Sequence, residues 1–156
     1  MLLGFILSLV VVGLDQLTKF LIYGTPAKSI IGNLLWFESS LNTGVAFSMF
    51  EGKSYIFIIT SLIACAVMIW LICSKKFFTT KIEKAVFGLI LGGAFSNALD
   101  RMIFGGVRDF IYLKFMNFAI FNIADMAITI GAIMLCVVVL ITSLKKEDKN
   151  KKENND

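Results

Sequence analysis

The sequence predicts an all-α integral membrane protein, with four transmembrane helices and a small extracytoplasmic β-rich segment on the membrane surface. Three observations predict this fold class. The 156 residues are 58% hydrophobic and 17% charged, whereas ordinary globular domains are about a quarter charged. Much of the charge lies in the last twelve residues. Four apolar stretches approach or exceed the ~20 residues that cross a bilayer as a helix.

The four predicted spans alternate with more polar segments. They cover Leu2–Tyr23, Tyr55–Cys73, Ala85–Phe104 and Phe118–Ser143. The first differs from a secretory signal peptide because it lacks a basic start and is interrupted by polar residues at 15–19. Residues 1–144 therefore form one membrane domain. The charged, Asn-rich tail 145–156 is expected to be cytoplasmic and disordered.

The segment 24–53, between the first two spans, has a different composition. It holds the only proline, Pro26, and two β-favouring runs at 30–31 and 34–38. Gly32-Asn33 separates these runs, and such pairs mark turns between strands. We expect a small sheet on the membrane surface here.

The distribution of basic residues predicts the orientation. Nine of the fifteen lie either between spans two and three or in the tail. They are Lys75, Lys76, Lys81, Lys84, Lys145, Lys146, Lys149, Lys151 and Lys152. The positive-inside rule places both termini in the cytoplasm, and 24–53 and the loop near 105–117 outside. Topology and anionic lipid account for the net charge of +4, so no nucleic-acid partner is predicted.

Three spans carry polar clusters at their outer ends, with helical spacing. The clusters are Asp15, Thr18 and Lys19; Asn97, Asp100 and Arg101; and Asn122, Asp125 and Thr129. In lipid such faces must point inward, toward each other or a water-filled pocket. One shared polar site at the outer surface is therefore predicted.

Two aspartates are the best candidates for an acid–base pair. Asp15 and Asp100 have candidate cations nearby, in Lys19 and Arg101, which would keep them ionised and structural. Asp109 and Asp125 flank one short segment that returns the chain to the membrane. Two carboxyl groups that share one proton are the working parts of aspartic proteases.

Other chemistries fit the sequence less well. The chain has no histidine, which removes His-based triads and the usual zinc motifs. The three cysteines lie within spans and suggest apolar packing. A serine–lysine peptidase would use Lys19 with Ser39, Ser40 or Ser48. A four-span transporter would place its acidic residue near the midplane, whereas these acids gather at one end.

Five motifs give the chain a resemblance to a known family. They are Asp15-Gln-Leu-Thr-Lys19, Asn42-Thr-Gly44-Val-Ala46-Phe47, Gly92-Gly93-x3-Asn97-x2-Asp100-Arg101, Val107-Arg-Asp109-Phe110 and Phe121-Asn122-Ile-Ala124-Asp125. In this order, over about 2–144, they resemble bacterial lipoprotein signal peptidase, also called signal peptidase II. Three positions depart from the family pattern, which often has arginine at Leu41, glycine at Ser96 and serine at Met126.

The resemblance implies an aspartic endopeptidase of the bacterial cytoplasmic membrane, with its active site at the outer face. Such enzymes remove the signal peptide from prolipoproteins, before a cysteine that carries a diacylglyceryl group. The implied catalytic dyad is Asp109 and Asp125. The implied supporting residues are Asp15, Lys19, Asn42, Gly93, Asn97, Arg101 and Asn122. The chemistry requires no metal ion or cofactor. Membrane lipids and globomycin-type inhibitors are further expected partners.

Overall fold

The computed structural model describes residues 2–44, 54–74 and 80–153. The helices are α1 (Leu2–Ile22), α2 (Ser54–Cys73), α3 (Lys81–Phe104) and α4 (Ile123–Glu153). The strands are β1 (Lys28–Ile31), β2 (Leu35–Asn42) and β3 (Val107–Leu113), and a short 3₁₀ turn covers Lys114–Met116. Parts of the sequence predictions lie outside the described residues. These parts are residues 45–53 of the surface segment, with Ala46 and Phe47, the loop lysines Lys75 and Lys76, and the end of the tail.

Each of the four helices contains a stretch long and apolar enough to cross a membrane. Large apolar side chains cover their outer faces, as expected where lipid replaces water as the solvent. Together with the small sheet, these helices confirm the predicted fold class.

Helix α3 is the centre of the bundle and contacts α1, α2 and α4. Its start is fixed by a capping box between Thr80 and Glu83, and its end by Gly105 in the left-handed conformation. Small residues bring α1 close: a Cβ atom on Gly92 would lie 2.7 Å from the Ser8 carbonyl oxygen. Such small-residue contacts are the usual way in which membrane helices approach closely.

The three strands form one antiparallel sheet in the order β1-β2-β3. The predicted turn at Gly32 joins β1 to β2, with Gly32 in the left-handed region. The third strand was not predicted. It pairs with β2 from Leu35 opposite Leu113 to Asn42 opposite Val107, with an irregularity between Phe37 and Ser40. This pairing brings Asp109 opposite Ser40, into a sheet that lies at the end of α3.

Helix α4 differs from the predicted span at both ends. The predicted span begins at Phe118, but residues 118–120 are irregular and Phe121 bridges Ile111 of β3. The helix begins only at Ile123 and continues to Glu153. The tail was expected to be disordered, whereas its residues 145–153 are helical in the structure.

Candidate active site

Polar side chains from α1, α3, β3 and the start of α4 meet in the protein interior, next to the sheet. Those that are buried here are Asp15, Lys19, Ser96, Asn97, Asp100, Arg108, Asp109 and Asn122. Within the part of the chain that the structure describes, every fully buried side-chain nitrogen and oxygen has a hydrogen-bond partner. A buried polar network is stable only when satisfied in this way.

Two asparagines connect Asp109 to Asp125. The Asn122 side-chain amide donates to Asp109 Oδ1 over 2.6 Å and to Asn97 Oδ1 over 3.2 Å. The Asn97 amide in turn donates to Asp125 Oδ1 over 2.7 Å. A third amide, that of Asn42 in β2, donates to Asp109 Oδ2 over 3.1 Å. The two predicted catalytic aspartates therefore belong to one hydrogen-bonded cluster.

The start of α4 fixes the position of Asp125. Asn122 precedes the helix, and its Oδ1 accepts from the Asp125 N–H over 2.8 Å. Asp125 Oδ2 accepts from the Asn122 N–H over 3.3 Å. This reciprocal pair is a capping box, and it holds the carboxylate at the positive end of the helix dipole.

Burial changes the proton affinity of Asp109. Only 2% of this residue is exposed. Loss of hydration, followed by the charge of Asp125, raises the pKa of Asp109 to about 7. The amides of Asn42 and Asn122 oppose this rise. A carboxyl group that ordinarily ionises near pH 4 therefore holds its proton close to neutrality.

Lys19 connects α1 to the centre of the cluster. Its ammonium lies 2.6 Å from Asp15 Oδ2 and 3.1 Å from Asp100 Oδ2, and it donates to Asn97 Oδ1 over 3.1 Å. Asp15 Oδ1 accepts from the backbone N–H of Ala124 over 2.9 Å. Asp15 therefore ties α1 to the first turn of α4, beside Asp125.

The predicted pairing of Asp100 with Arg101 is wrong. The ion-pair partners of Asp100 are Lys19 and Arg108, whose guanidinium lies 2.8 Å from Asp100 Oδ1. The Arg108 backbone N–H also donates to Asp100 Oδ2. Residues i and i+1 point in different directions on a helix, which explains why Arg101 does not face Asp100.

Besides Arg108, two members of this network, Gln16 and Ser96, were missed from the sequence. The Gln16 amide donates to Ser96 Oγ and Asp100 Oδ1, both over 2.9 Å, and Gln16 Oε1 accepts from Arg108. The Ser96 hydroxyl donates to Asp15 Oδ2 over 2.7 Å. The sequence feature that could have identified Gln16 is its position inside an apolar span, directly after Asp15.

Arg101 lies on the aspartate side of α3. Its guanidinium is 5.5 Å from the centre of the Phe57 ring, a cation–π contact with α2. Its charge interacts with those of Asp125 and Asp109.

Gly93 has a packing role. A Cβ atom at this position would meet the Ala124 carbonyl oxygen and would lie 2.7 Å from Ile128 Cγ1. Only glycine lets α3 approach the first turn of α4 so closely.

An apolar cavity of about 320 Å³ borders Asp125. Its lining is completed by Leu113, Phe118, Phe121, Met126, Thr129 and Ile130. The volume is at the lower end of the range for small-ligand sites. A carboxylate at the edge of an apolar cavity suits a substrate that has an apolar group next to the reacting bond.

The described residues do not support the serine–lysine arrangement. Lys19 forms ion pairs with Asp15 and Asp100. The Ser39 hydroxyl accepts a hydrogen bond from the Gly24 N–H and donates one to the Ile22 carbonyl oxygen. Ser48 lies outside the described residues. Over 2–44, 54–74 and 80–153, no group of three or more His, Cys, Asp or Glu side chains could hold a metal ion.

Comparison with known proteins identifies the family. The sequence model of signal peptidase (SPase) II matches residues 7–141. The chain belongs to the signal peptidase II family. Lipoprotein signal peptidase from Shouchella clausii is 37% identical over 142 residues, which cover 88% of this chain and 93% of the relative. The enzyme of that name from Enterococcus faecalis is 34% identical, over 94% and 93% of the two chains.

A solved bacterial membrane enzyme has the same fold. It aligns with a TM-score of 0.83 and 29% identity, over 92% of this chain and 90% of that one. As a signal peptidase II family member with four membrane-spanning helices, the chain is a protease of the bacterial membrane. The resemblance seen in the sequence is thereby confirmed. The roles of individual site residues stay predictions.

Proposed function

We propose that the protein is an aspartic endopeptidase that removes signal peptides from diacylglyceryl-modified prolipoproteins, cleaving before the lipidated cysteine. The observation that carries this proposal is the cluster that joins Asp109 to Asp125 through Asn122 and Asn97. Two carboxyl groups in one hydrogen-bonded cluster, one with its pKa raised to about 7, can act as an acid–base pair.

The two aspartates take different parts in the reaction. Asp125, at the positive end of the α4 dipole, is the ionised base that accepts a proton from the attacking water. Asp109 is the protonated acid that hydrogen-bonds the scissile carbonyl oxygen. Water adds to the carbonyl carbon while Asp109 gives its proton to the carbonyl oxygen, which yields a tetrahedral diol. Asp125 then passes its proton to the peptide nitrogen, and Asp109 takes one back from a diol hydroxyl. The C–N bond breaks, the two products leave, and both carboxyl groups return to their starting forms.

The supporting residues have positioning and binding roles. Asn42, Asn97 and Asn122 orient the two carboxyl groups through their side-chain amides. Asp15 and Lys19 hold α1 and α3 against the start of α4, and Gly93 permits the α3–α4 contact. Arg101 is the binding residue, which donates to a backbone carbonyl of the substrate.

The apolar cavity beside Asp125 suits the lipid-modified substrate. Its walls are almost entirely hydrocarbon and aromatic, so that it would favour an acyl chain or apolar side chain over water. The relatives named above are lipoprotein signal peptidases, and their name matches a substrate of this kind. We place the site at the outer face of the cytoplasmic membrane, where the cleavage point of a signal peptide emerges.

The direct test uses purified full-length protein in lipid bilayers and a diacylglyceryl-modified prolipoprotein. We expect a product shortened by the signal peptide, and none from the same prolipoprotein without the lipid. Cleavage should survive EDTA and thiol-blocking reagents. Failure to cut the modified substrate, or loss of cleavage with either treatment, would contradict the proposal.

A further inference from the structure

Four exposed apolar residues lie at the end of the sheet where Leu35 pairs with Leu113. Ile31 ends β1, Leu34 lies in the β1–β2 turn, and Phe115 and Met116 lie in the 3₁₀ turn after β3. Each is between 53% and 60% exposed. The Lys114 N–H donates to the Leu34 carbonyl oxygen over 3.2 Å, which joins the two turns. We call these four residues the apolar tip.

An aromatic–cation pair stands directly behind the apolar tip. The Lys114 ammonium lies 3.7 Å from the centre of the Trp36 ring, a close cation–π contact. The Trp36 indole N–H donates to the Gly32 carbonyl oxygen over 2.9 Å, so that the ring is held in place. Tryptophan and lysine with an apolar body and a polar end are the residues that proteins place at membrane–water interfaces.

The charge of the region fits a phospholipid surface. The segments 23–37 and 110–124, which supply the tip and its surroundings, contain no Asp or Glu and carry Lys28 and Lys114. Lysine ammonium groups near a bilayer are attracted to lipid phosphates. An exposed apolar group with the Lys114 ammonium next to it matches the order of hydrocarbon and headgroup in a leaflet.

The chain also limits the distance between the tip and the bilayer. Met116 is seven residues before Ile123, where the membrane-spanning part of α4 begins. Seven residues reach at most about 25 Å even when fully extended. Met126 and Ile130, near the start of α4, are also exposed apolar residues, and they belong to a helix long and apolar enough to cross a membrane.

We propose that the apolar tip is an interfacial anchor, inserted into the headgroup region of the leaflet on the sheet's side of the membrane. The anchor holds the sheet, and with it β3 and Asp109, at a fixed depth. It also places Leu113 and Phe118, which line the apolar cavity, at the lipid surface. The cavity then opens where an acyl chain can enter from the leaflet without crossing water.

The chain offers a built-in test because it has two tryptophans, Trp36 and Trp70. Trp70→Phe leaves Trp36 as the only tryptophan, and the protein is placed in phosphatidylcholine bilayers whose acyl chains are brominated near the headgroup or near the chain end. We expect loss of most Trp36 emission, with the bromines nearer the headgroup more effective. Aqueous iodide should quench weakly.

A second variant separates anchoring from simple proximity. In the Trp70→Phe protein, Phe115→Asp with Met116→Asp should weaken quenching by bromolipid and strengthen quenching by iodide. The matched control is Trp36→Phe, which leaves Trp70 of α2, 60% exposed in a membrane span; its quenching should not change with the tip substitutions. If iodide quenches Trp36 emission and bromolipid does not, the tip lies in water. Trp36 shielded from both would mean that protein covers it. Either result overturns the proposal.

Discussion

At the scale of single residues, Asp109 links burial to pH dependence. Its pKa of about 7 lies above the ordinary carboxyl value of about 4. Folding therefore binds a proton between these values, and the contribution of Asp109 to stability is present below pH 4 and lost as the pH rises toward 7. The same rise removes the proton that the proposed acid must donate.

The basic limb of the pH–rate profile should consequently have its midpoint near pH 7. Asn42→Ala should move that midpoint upward, because the Asn42 amide stabilises the ionised form of Asp109. The measurement is kcat/KM against pH for the parent and the variant. Asn33→Ala, an exposed turn residue of the same sheet, is the control and should leave the profile unchanged. A downward shift in Asn42→Ala would contradict the assigned contact.

Replacing the two arginines near the site should have different effects: one substitution should lower stability and the other should lower activity. Arg108 is buried with Asp100, and removing one partner of a buried pair costs about 3–5 kcal/mol. Arg108→Ala should therefore lower the thermal unfolding temperature. Arg101→Ala should keep that temperature and lower kcat/KM about 10- to 100-fold, the ~1.5–3 kcal/mol of a charged hydrogen bond. Normal activity in Arg101→Ala would show that Arg101 does not hold substrate.

At the scale of helices and strands, the close contact of α3 with α4 positions the base. Gly93→Ala should displace the first turn of α4, since the added methyl meets the Ala124 carbonyl oxygen. Activity should fall even where the protein still inserts, because Asp125 lies in that turn. Gly13→Ala is the matched control: nothing lies within 4 Å of a Cβ atom at Gly13 of α1, and activity should be retained. Cleavage assays of both variants decide the point.

The predictability of the elements follows from how local their signals are. The spans were predicted because apolar composition alone identifies a membrane helix. Strand β3 was missed because its stability depends on β2, more than sixty residues away, and no local pattern reports that pairing. The true start of α4 did have a local signal, the Asn122-x-x-Asp125 capping box. The apolar character of Phe118 and Phe121 concealed it.

At the scale of the whole molecule, the sequence identified the aspartates but not all their partners. Asp15, Asp100, Asp109 and Asp125 stand out because carboxylates are rare in apolar segments. Their pairing depends on tertiary contact, so Arg101 was chosen for Asp100 where the structure has Arg108 and Lys19. Ser96 was seen only as a departure from the family pattern, and its hydrogen bond to Asp15 had no sequence signal.

The orientation of the molecule is a separate prediction. The positive-inside rule puts both termini in the cytoplasm and the sheet outside. Topology reporters fused after Ser74 and at the C-terminus should behave as cytoplasmic, and one inserted after Asn33 as external. An external C-terminus would place the aspartates on the side where signal peptides do not emerge.

The central claim is that Asp109 and Asp125 act as one catalytic unit. Its most direct test is cleavage of a diacylglyceryl-modified prolipoprotein by Asp109→Asn, Asp125→Asn and the double variant, with Glu38→Gln of β2 as the matched control. Each single variant should lose on the order of 10⁴-fold in kcat, and the double variant should be little worse, since members of a catalytic unit are not additive. All the variants should insert into the membrane normally, and Glu38→Gln should keep normal activity. Substantial turnover by either single variant would contradict the account and make Asp100 and Asp15 the next candidates.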